Sequence, residues 1–440
     1  MPGGETPALY SRRGRLLLQL KVWTRQVPRS SSRSSQLMKN APLLLASLLV
    51  VTHHQASAAA LRVAVRAGDF DRRESVVSFA VPEAARGWSR LETEGGSAVP
   101  FQVDKEGTGW LVLDALKAGA TKTFRLKSGP AARPVVGARQ DGALVRLTVN
   151  DKPIAAYQTT PSTPPAGVPA HYAHGAYLHP VLTPGGRLVT GDYPSDHRLQ
   201  RGIFFAWTHT EFEGRTPDFW NMGHGNEARI KAATEFVKLD RTWNGPVHGG
   251  FASQQRFVDY LAPRPKVMLA EQWTVTAYSV AASGGKAWLL DLVSRQECAS
   301  ASRVKLPKYH YGGLGVRGQA AWDPVTAVTF LTSNGDGRKL GDASKANWVH
   351  MGGDVEGAPA GLAVLIHPDN FRSPQPLRLN PNNPQLCVAP SADGDWEITP
   401  GKPYVSRYRF VIGDGPADKA ELDRLWNDYA KPPQVTVELE

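Results

Sequence analysis

The sequence predicts a mainly β protein, a small N-terminal β-sandwich followed by a large antiparallel double-layer β-sandwich with a C-terminal helix. Three observations point there. Apolar and polar residues alternate at period two in one short segment after another, as half-buried strands require. Turn formers are abundant, with 42 Gly and 34 Pro in 440 residues, more than a helical protein accommodates. Apolar spacing at helical period surfaces only at the end of the chain.

The first module spans 59–135. Leu61, Val63 and Val65 share one face of a strand over Leu61–Arg66, and Ser75–Val81, Phe101–Val103, Gly109–Leu113 and Thr121–Leu126 follow across turns rich in Gly, Asp and Glu. Residues 128–137 read as the connection out of it. The large sandwich spans 140–435, with strands expected at Ala143–Val149, Phe257–Tyr260, Gln272–Val280, Ala287–Val293, Val325–Leu331, Leu362–His367 and Tyr404–Ile412. In the last of these Tyr404, Tyr408, Phe410 and Ile412 alternate with Arg407 and Arg409, one face dry and one wet. From Pro416 to Ala430, Leu422, Leu425, Trp426 and Tyr429 fall at i, i+3, i+4 and i+7, an amphipathic helix docked on a sheet. No βαβ alternation and no phosphate-cradling Gly loop is visible.

Residues 41–51 form an apolar run of signal-peptide length, preceded by Lys39 and followed by the small-x-small triplet Ala56-Ser57-Ala58. This predicts a secretory signal over 38–58, cut after Ala58, and a periplasmic or extracellular protein. Residues 1–37 read as a non-native extension with translation starting at Met38, or as a long n-region. Arg12-Arg13 lies far from the apolar run for a twin-arginine signal. The net charge of +11 follows the same division. Residues 1–58 hold eight Lys/Arg and one acid, so the remainder carries 43 basic and 39 acidic residues, or +4. It has no basic run of five, which removes the case for a nucleic-acid partner. No apolar stretch after residue 58 approaches 18 residues, so no membrane span is expected. The two cysteines, Cys298 and Cys387, read as buried free thiols or as a disulfide permitted by export. Their spacing makes no zinc or redox motif.

The chemistry-bearing residues concentrate in one region. Seven of the twelve His lie between 171 and 248, and segment 176–227 reads as a long loop dense in groups that transfer protons, bind metal or stack on a sugar. Within 191–207, Asp196 stands beside His197, where a carboxylate can fix the imidazole tautomer for acid–base work. Neighbours on an extended strand point to opposite faces, so a turn with a surface ion pair is the alternative. Arg198 and Arg201 follow. His209-x-Glu211 shares a face if the segment is a strand, as an acid–base pair or two ligands of one metal. Over 308–318, His310 is joined to Arg317 through three glycines that allow close backbone approach to a ligand. Arg317 is a candidate to neutralise a carboxylate or an enolate-like oxygen, or an exposed Arg beyond a bulge. His350 and His367 stand at strand ends. Trp207, Trp220, Trp243, Trp273 and Trp348 suit the core, and a Trp face also suits a sugar. No Gly-x-Ser-x-Gly elbow and no His-Glu-x-x-His helix occurs.

The segments "YLHPVLTPGGRLVTGDYPSDHRLQRGIFFAW", "FEGRTPDFWNMG", "GGLGVRG" and "LIHPDNF", in this order, resemble the methane-oxygenase PmoA-like family of exported bacterial proteins of unknown function, over about 140–415. Where that family often has Asp-His-Arg-His-Gln, this chain has Asp196-His197-Arg198-Leu199-Gln200, one His fewer. The architecture is similar to the double sandwiches of aldose mutarotases and polysaccharide lyases, and the first module to accessory sandwiches of secreted carbohydrate-active enzymes.

These readings converge on a small-molecule or glycan ligand and an enzyme of lyase, epimerase or hydrolase type working by proton transfer. His197 and His310 are the expected acid and base, Asp196 orients His197, and Arg317 meets developing negative charge. His179, His209, Arg201, Trp207, Asn221, His350 and His367 are the expected substrate contacts. Two alternatives stand beside this one. In the first, a divalent metal is held by His179, His209 and Glu211. In the second, the protein is a carbohydrate-binding or scaffold protein without catalysis.

Overall fold

The computed structural model describes residues 60–222, 230–280 and 282–440. The expected extension over 1–37 and signal over 38–58 lie outside the described residues, as does His224. Ser57–Glu440 forms one compact unit, and it is mainly β, in antiparallel sheets, with one longer helix near the C-terminus.

Two sheets near the N-terminus enclose a core of their own. One runs, in order, Gln434–Leu439, Ala60–Arg66, Thr121–Lys127, Arg90–Thr93 and Ala98–Val99; the other runs Arg72–Ala80, Thr108–Leu116 and Phe101–Val103. Leu61, Val63, Val65, Val77, Phe101, Leu111, Leu113, Phe124 and Leu126 are buried between them. The alternation in Leu61–Arg66 therefore does what a strand at a sandwich face must. The strand Gln434–Leu439 was not visible in the sequence. It pairs with Ala60–Arg66 from Val65↔Val435 to Leu61↔Leu439.

The larger part is two eight-stranded sheets among the described residues. The outer one runs Ala232–Trp243, His248–Asp259, Lys266–Tyr278, Ala287–Cys298, Tyr404–Asp414, Ala358–Ile366, Trp348–Val355 and Thr329–Thr332. The one bearing the site runs Leu377–Leu379, Gln385–Val388, Gly313–Arg317, Ile203–Ala206, Tyr177–Val181, Lys152–Gln158, Leu144–Val149 and Val136–Asp141. Phe251, Trp273, Leu290, Leu292, Tyr408 and Phe410 of the first join Leu147, Tyr157, Leu178, Ile203, Leu314 and Leu386 of the second in one core.

Several expectations are corrected. Segment 176–227 is not simply loop, because Tyr177–Val181 and Ile203–Ala206 are interior strands. Both faces of Ile203–Ala206 are covered and all four residues are buried, so no alternation marks it. Val325–Leu331 is not one strand. Pro324 precedes a 3-10 turn at Val325–Ala327, and the strand is Thr329–Thr332. Of the two readings of the cysteines the free thiols hold, with Cys387 buried and Cys298 half-buried.

The helix is Lys419–Ala430, capped by Asp418, whose side chain accepts from the Glu421 N–H; this is the expected arrangement for an N-cap. Leu422 and Leu425 pack on the outer sheet with Leu289, Ala363, Leu365 and Val411. Asp428 reaches the small sandwich, accepting from Arg72 at 2.9 Å and from Ser75 at 2.8 Å. The Arg72 and Asp428 side chains are 2% and 3% exposed, so the joint between helix and small sandwich is a buried ion pair.

Candidate functional site

Register places the polar side chains. Ile203 pairs with Leu178 and Val316, and Phe204, Val316 and Arg317 pair with Gly315, Leu386 and Gln385. Directly paired residues share a face and neighbours alternate. Leu178, Ile203, Val316 and Leu386 therefore point into the core between the sheets. Tyr177, His179, Phe204, Gly315, Arg317 and Gln385 point to the opposite face. That face lies under loops: Gly315 leaves no room for a Cβ, which would come within 2.8 Å of Phe204 and Trp220.

A short backbone ladder gathers the loop residues beside this face. Thr190 bridges Gly318 and Asp192 bridges Arg201. Gly191 N–H donates to Arg317 O, Gly202 N–H to Gly191 O and Arg317 N–H to Gly202 O. A Cβ on Gly191 would stand 2.4 Å from Gly318 O, so only glycine allows the approach.

Two polar groups result. In the first, Arg317 is fully buried. It donates from Nη1 to Gln200 Oε1 at 2.7 Å, and from Nη2 to Asp196 Oδ1 at 3.1 Å and to Asp323. Asp196 also accepts from Asn383 Nδ2 at 2.9 Å, and its Oδ2 lies 2.9 Å from His197 Nδ1. Asp196 and His197 do touch, because the segment is turned rather than extended: His197 N–H donates to Pro194 O and Gln200 N–H to His197 O. Burial alone would raise the Asp196 carboxyl. The hydrogen bonds from His197 and Asn383 and the charge of Arg317 outweigh it and hold the group at about 2. The carboxylate is ionised throughout the neutral range and accepts the Nδ1 proton of a half-exposed imidazole, which leaves the lone pair of the neutral ring on Nε2.

The second group is more deeply set. His174 Nε2 meets Asp192 Oδ1 at 3.0 Å, Tyr177 OH donates to Asp192 Oδ2 at 2.6 Å, and Tyr193 stacks on His174 with ring centres 4.3 Å apart. Burial lowers His174 to about 4. Arg201 is buried over the rings of Phe204 and Tyr177, at 5.0 and 5.9 Å. His179 Nδ1 lies 3.0 Å from Thr190 Oγ1, and burial lowers its pKa.

The remaining candidates lie elsewhere. His209, Asn221 and His310 gather round a tyrosine pair at the Gly313 end of the strand. His209 is exposed with its ring 5.0 Å from Tyr309, His310 packs its ring against Tyr309 and Tyr311, and Asn221 bonds Asp218 and Tyr311. Trp207 is a core residue donating to Gln296, with no face for a substrate. His350 is buried in the outer sheet, and His367 stands against Tyr429 of the helix. The metal set does not converge. Residues 207–210 are loop and Glu211 makes an isolated bridge to Lys305 and pairs with its ammonium, so the shared-face argument for His209 and Glu211 fails. Among the described residues no three His, Cys, Asp or Glu are grouped as a metal site, and no helix is long and apolar enough to cross a membrane.

Sequence reasoning missed Asn383, Gln200 and Asp323 around Arg317, and it did not assign roles to His174, Asp192, Tyr177 and Tyr193. The Asp-Tyr pair at 192–193, ahead of Asp196-His197, was the one local signal. Asn383 comes from a run read as a rim loop.

A family model described as a family of unknown function, DUF6807, matches residues 144–427. That description carries no PmoA-like name, so the likeness drawn from the sequence stays a resemblance. A search of curated proteins finds none that matches significantly. Among solved structures, an alpha-mannosidase from Enterococcus faecalis V583 is similar at TM-score 0.39 and 10% identity, over 86% of this chain and 46% of that one. A heparan sulfate lyase HepC mutant from Pedobacter heparinus gives 0.29 and 11%, over 66% and 38%. A galactose mutarotase related enzyme from Lactobacillus acidophilus gives 0.23 and 8%, over 63% and 97%. This chain spans less than half the length of the first two, and at these scores none carries an argument about it.

Proposed function

The chain belongs to the family of unknown function DUF6807, and from that premise we propose that it is an exported protein acting on carbohydrate by general acid–base proton transfer. The observation that carries the reading is the Asp196–His197 pair, an ionised carboxylate orienting an accessible imidazole at the rim of a polar sheet face. His197 is the proton-transfer group, Asp196 sets its tautomer, and Arg317 positions Asp196. The role of meeting negative charge on the substrate is withdrawn from Arg317, because its guanidinium is buried and already bound to Asp196, Asp323 and Gln200. Arg201 is likewise buried. Arg198 in the His197 turn stays half-exposed, and the other groups left on this face are imidazoles, hydroxyls and amides, which exchange hydrogen bonds with a polyol.

The test is exchange of anomers or epimers followed by proton NMR on purified protein with neutral and acidic sugars. His197→Ala abolishes the exchange at unchanged Tm and Asp196→Asn lowers it by about 100-fold, within the range of acid–base catalysis. Full activity in His197→Ala sinks the assignment. A second reading, saccharide binding without chemistry, is favoured by His310, whose ring contacts run to Tyr309 and Tyr311 rather than to His197. It is supported by saturable binding that yields no product. Export is tested by sequencing the N-terminus of the secreted protein, which the signal reading places at Ala59.

A further inference from the structure

A cavity of about 470 Å3 lies between the Phe101–Val103 and Thr108–Leu116 strands of the small sandwich and the outer face of the sheet containing Ala232–Trp243, His248–Asp259 and Lys266–Tyr278. It takes no part in the His197 site. Trp110, Trp243 and His248 line it, with Asp104 and Arg241, and Thr274 and Thr276 from the outer face of their strand.

Both indoles are held by their own N–H groups. Trp110 Nε1 donates to Asp104 Oδ2 at 2.9 Å, and Trp243 Nε1 to His248 Nδ1 at 3.0 Å. The Arg241 guanidinium lies 4.7 Å over Trp243. Because Nδ1 of His248 accepts, the neutral ring carries its proton on Nε2. His248 is 5% exposed and that Nε2 has no acceptor. A buried donor without an acceptor is costly, and such a group asks for a water or a ligand. The rim charges are mutually satisfied, Glu106 lying 3.7 Å from Lys105 and 3.2 Å from Arg241.

We propose that this cavity is a second ligand site, which takes a neutral saccharide unit with the apolar face of the sugar against Trp110 and its hydroxyls toward His248, Thr274 and Thr276. Fixed aromatic walls with a few convergent polar groups are what such a ligand needs. The volume fits one or two sugar rings. Asp104 and Glu106 at the rim are balanced by Lys105 and Arg241, so the rim carries no net charge that would select an anionic sugar over a neutral one.

The test is tryptophan fluorescence of the full chain titrated with D-glucose, D-galactose, D-mannose and cellobiose, with D-glucuronate as the charged control. At least one neutral sugar gives a saturable change, glucuronate binds no more tightly, and His197→Ala leaves the Kd within about twofold. Trp110→Ala weakens binding by about tenfold or more, as removal of an anchoring aromatic does. Trp110 also packs on His248 and Tyr278, so Thr274→Tyr, which fills the cavity from an outward position, gives the same loss at unchanged Tm. No saturable change with any of the four sugars in folded protein overturns the proposal. So does binding that Thr274→Tyr leaves intact, or that His197→Ala abolishes, or that favours glucuronate.

Discussion

Nη2 of Arg317 lies 3.1 Å from Asp196 Oδ1, across 121 residues of chain, and Asp196 in turn holds Nδ1 of its neighbour His197 at 2.9 Å. A fully buried cation thus fixes a carboxylate that fixes an accessible imidazole. Arg317→Met removes the cation and leaves Asp196, Asp323 and Gln200 without it. Breaking a buried pair from one side costs about 3–5 kcal/mol. Here the two carboxylates keep 41% and 36% of their side-chain exposure, so water takes up part of the loss and about 2–3 kcal/mol is expected. Urea denaturation measures it, and a loss below about 0.5 kcal/mol shows that Arg317 is no anchor. Arg317→Lys recovers only part, because a single ammonium nitrogen does not span the acceptors that Nη1 and Nη2 reach separately.

Stability falls as the medium is acidified from about pH 6.5 to about pH 4. His174, His248 and His350 are each lowered by burial from 6.5 to about 4. In that window the unfolded chain binds protons that the folded chain does not, so stability rises with pH and is fully present above about 6.5. Each histidine contributes up to roughly 3 kcal/mol, at about 1.4 kcal/mol per pH unit. Thermal melts across this range give the slope, and His350→Gln makes it shallower. An unchanged slope in that variant places the titration elsewhere.

Asp428→Ala takes the carboxylate from the buried Arg72 guanidinium, which keeps the Ala67 and Lys431 carbonyls, and takes one of two carboxylates from Arg424; the cost is about 3 kcal/mol, the lower end for a broken buried pair. Arg72→Met with Asp428→Leu removes both charges and leaves Arg424 to Glu421 alone, so the double variant regains part of that stability. The check is a double-mutant cycle in urea. Near-additive single and double variants would show that the pair is not coupled.

Iodoacetamide labels native protein at Cys298 alone, and slowly. Cys387 is fully buried and its thiol is pushed up to about 12 by that burial, so neither access nor thiolate is available there. Unfolding exposes both. Intact mass two units below the reduced value would instead show a disulfide.

The strands that could be read from the sequence are those that alternate, such as Leu61–Arg66 and Tyr404–Ile412, although the second face of the latter is covered by the helix and buries Arg409 and Val411 rather than meeting water. Ile203–Ala206 is covered on both faces and shows no alternation, and Ala232–Trp243, at the sheet edge, is half polar without strict alternation. The site was legible in its composition but not in its geometry. Asp196, His197 and Arg317 were singled out, yet the residues that fix them, Gln200, Asp323 and Asn383, reach them by turns and loop crossings that leave no period. The pairing of His197 with His310 and of His209 with Glu211 failed for the same reason: spacing along a chain specifies neighbours only where a regular element sets the direction of each side chain.

The strand Gln434–Leu439, hydrogen-bonded along the edge of Ala60–Arg66, makes the order of assembly unusual. A chain emerging from its N-terminus presents Ala60–Arg66 first and must leave one side of that strand unpaired until the last residues arrive. The small sandwich is thus the earliest part to begin folding and the last to be finished. Closing a loop of that length is slow, and an open strand edge invites wrong partners meanwhile. Removing residues 434–439 therefore acts on the first module, far from them in sequence, and not on the neighbouring large sheets.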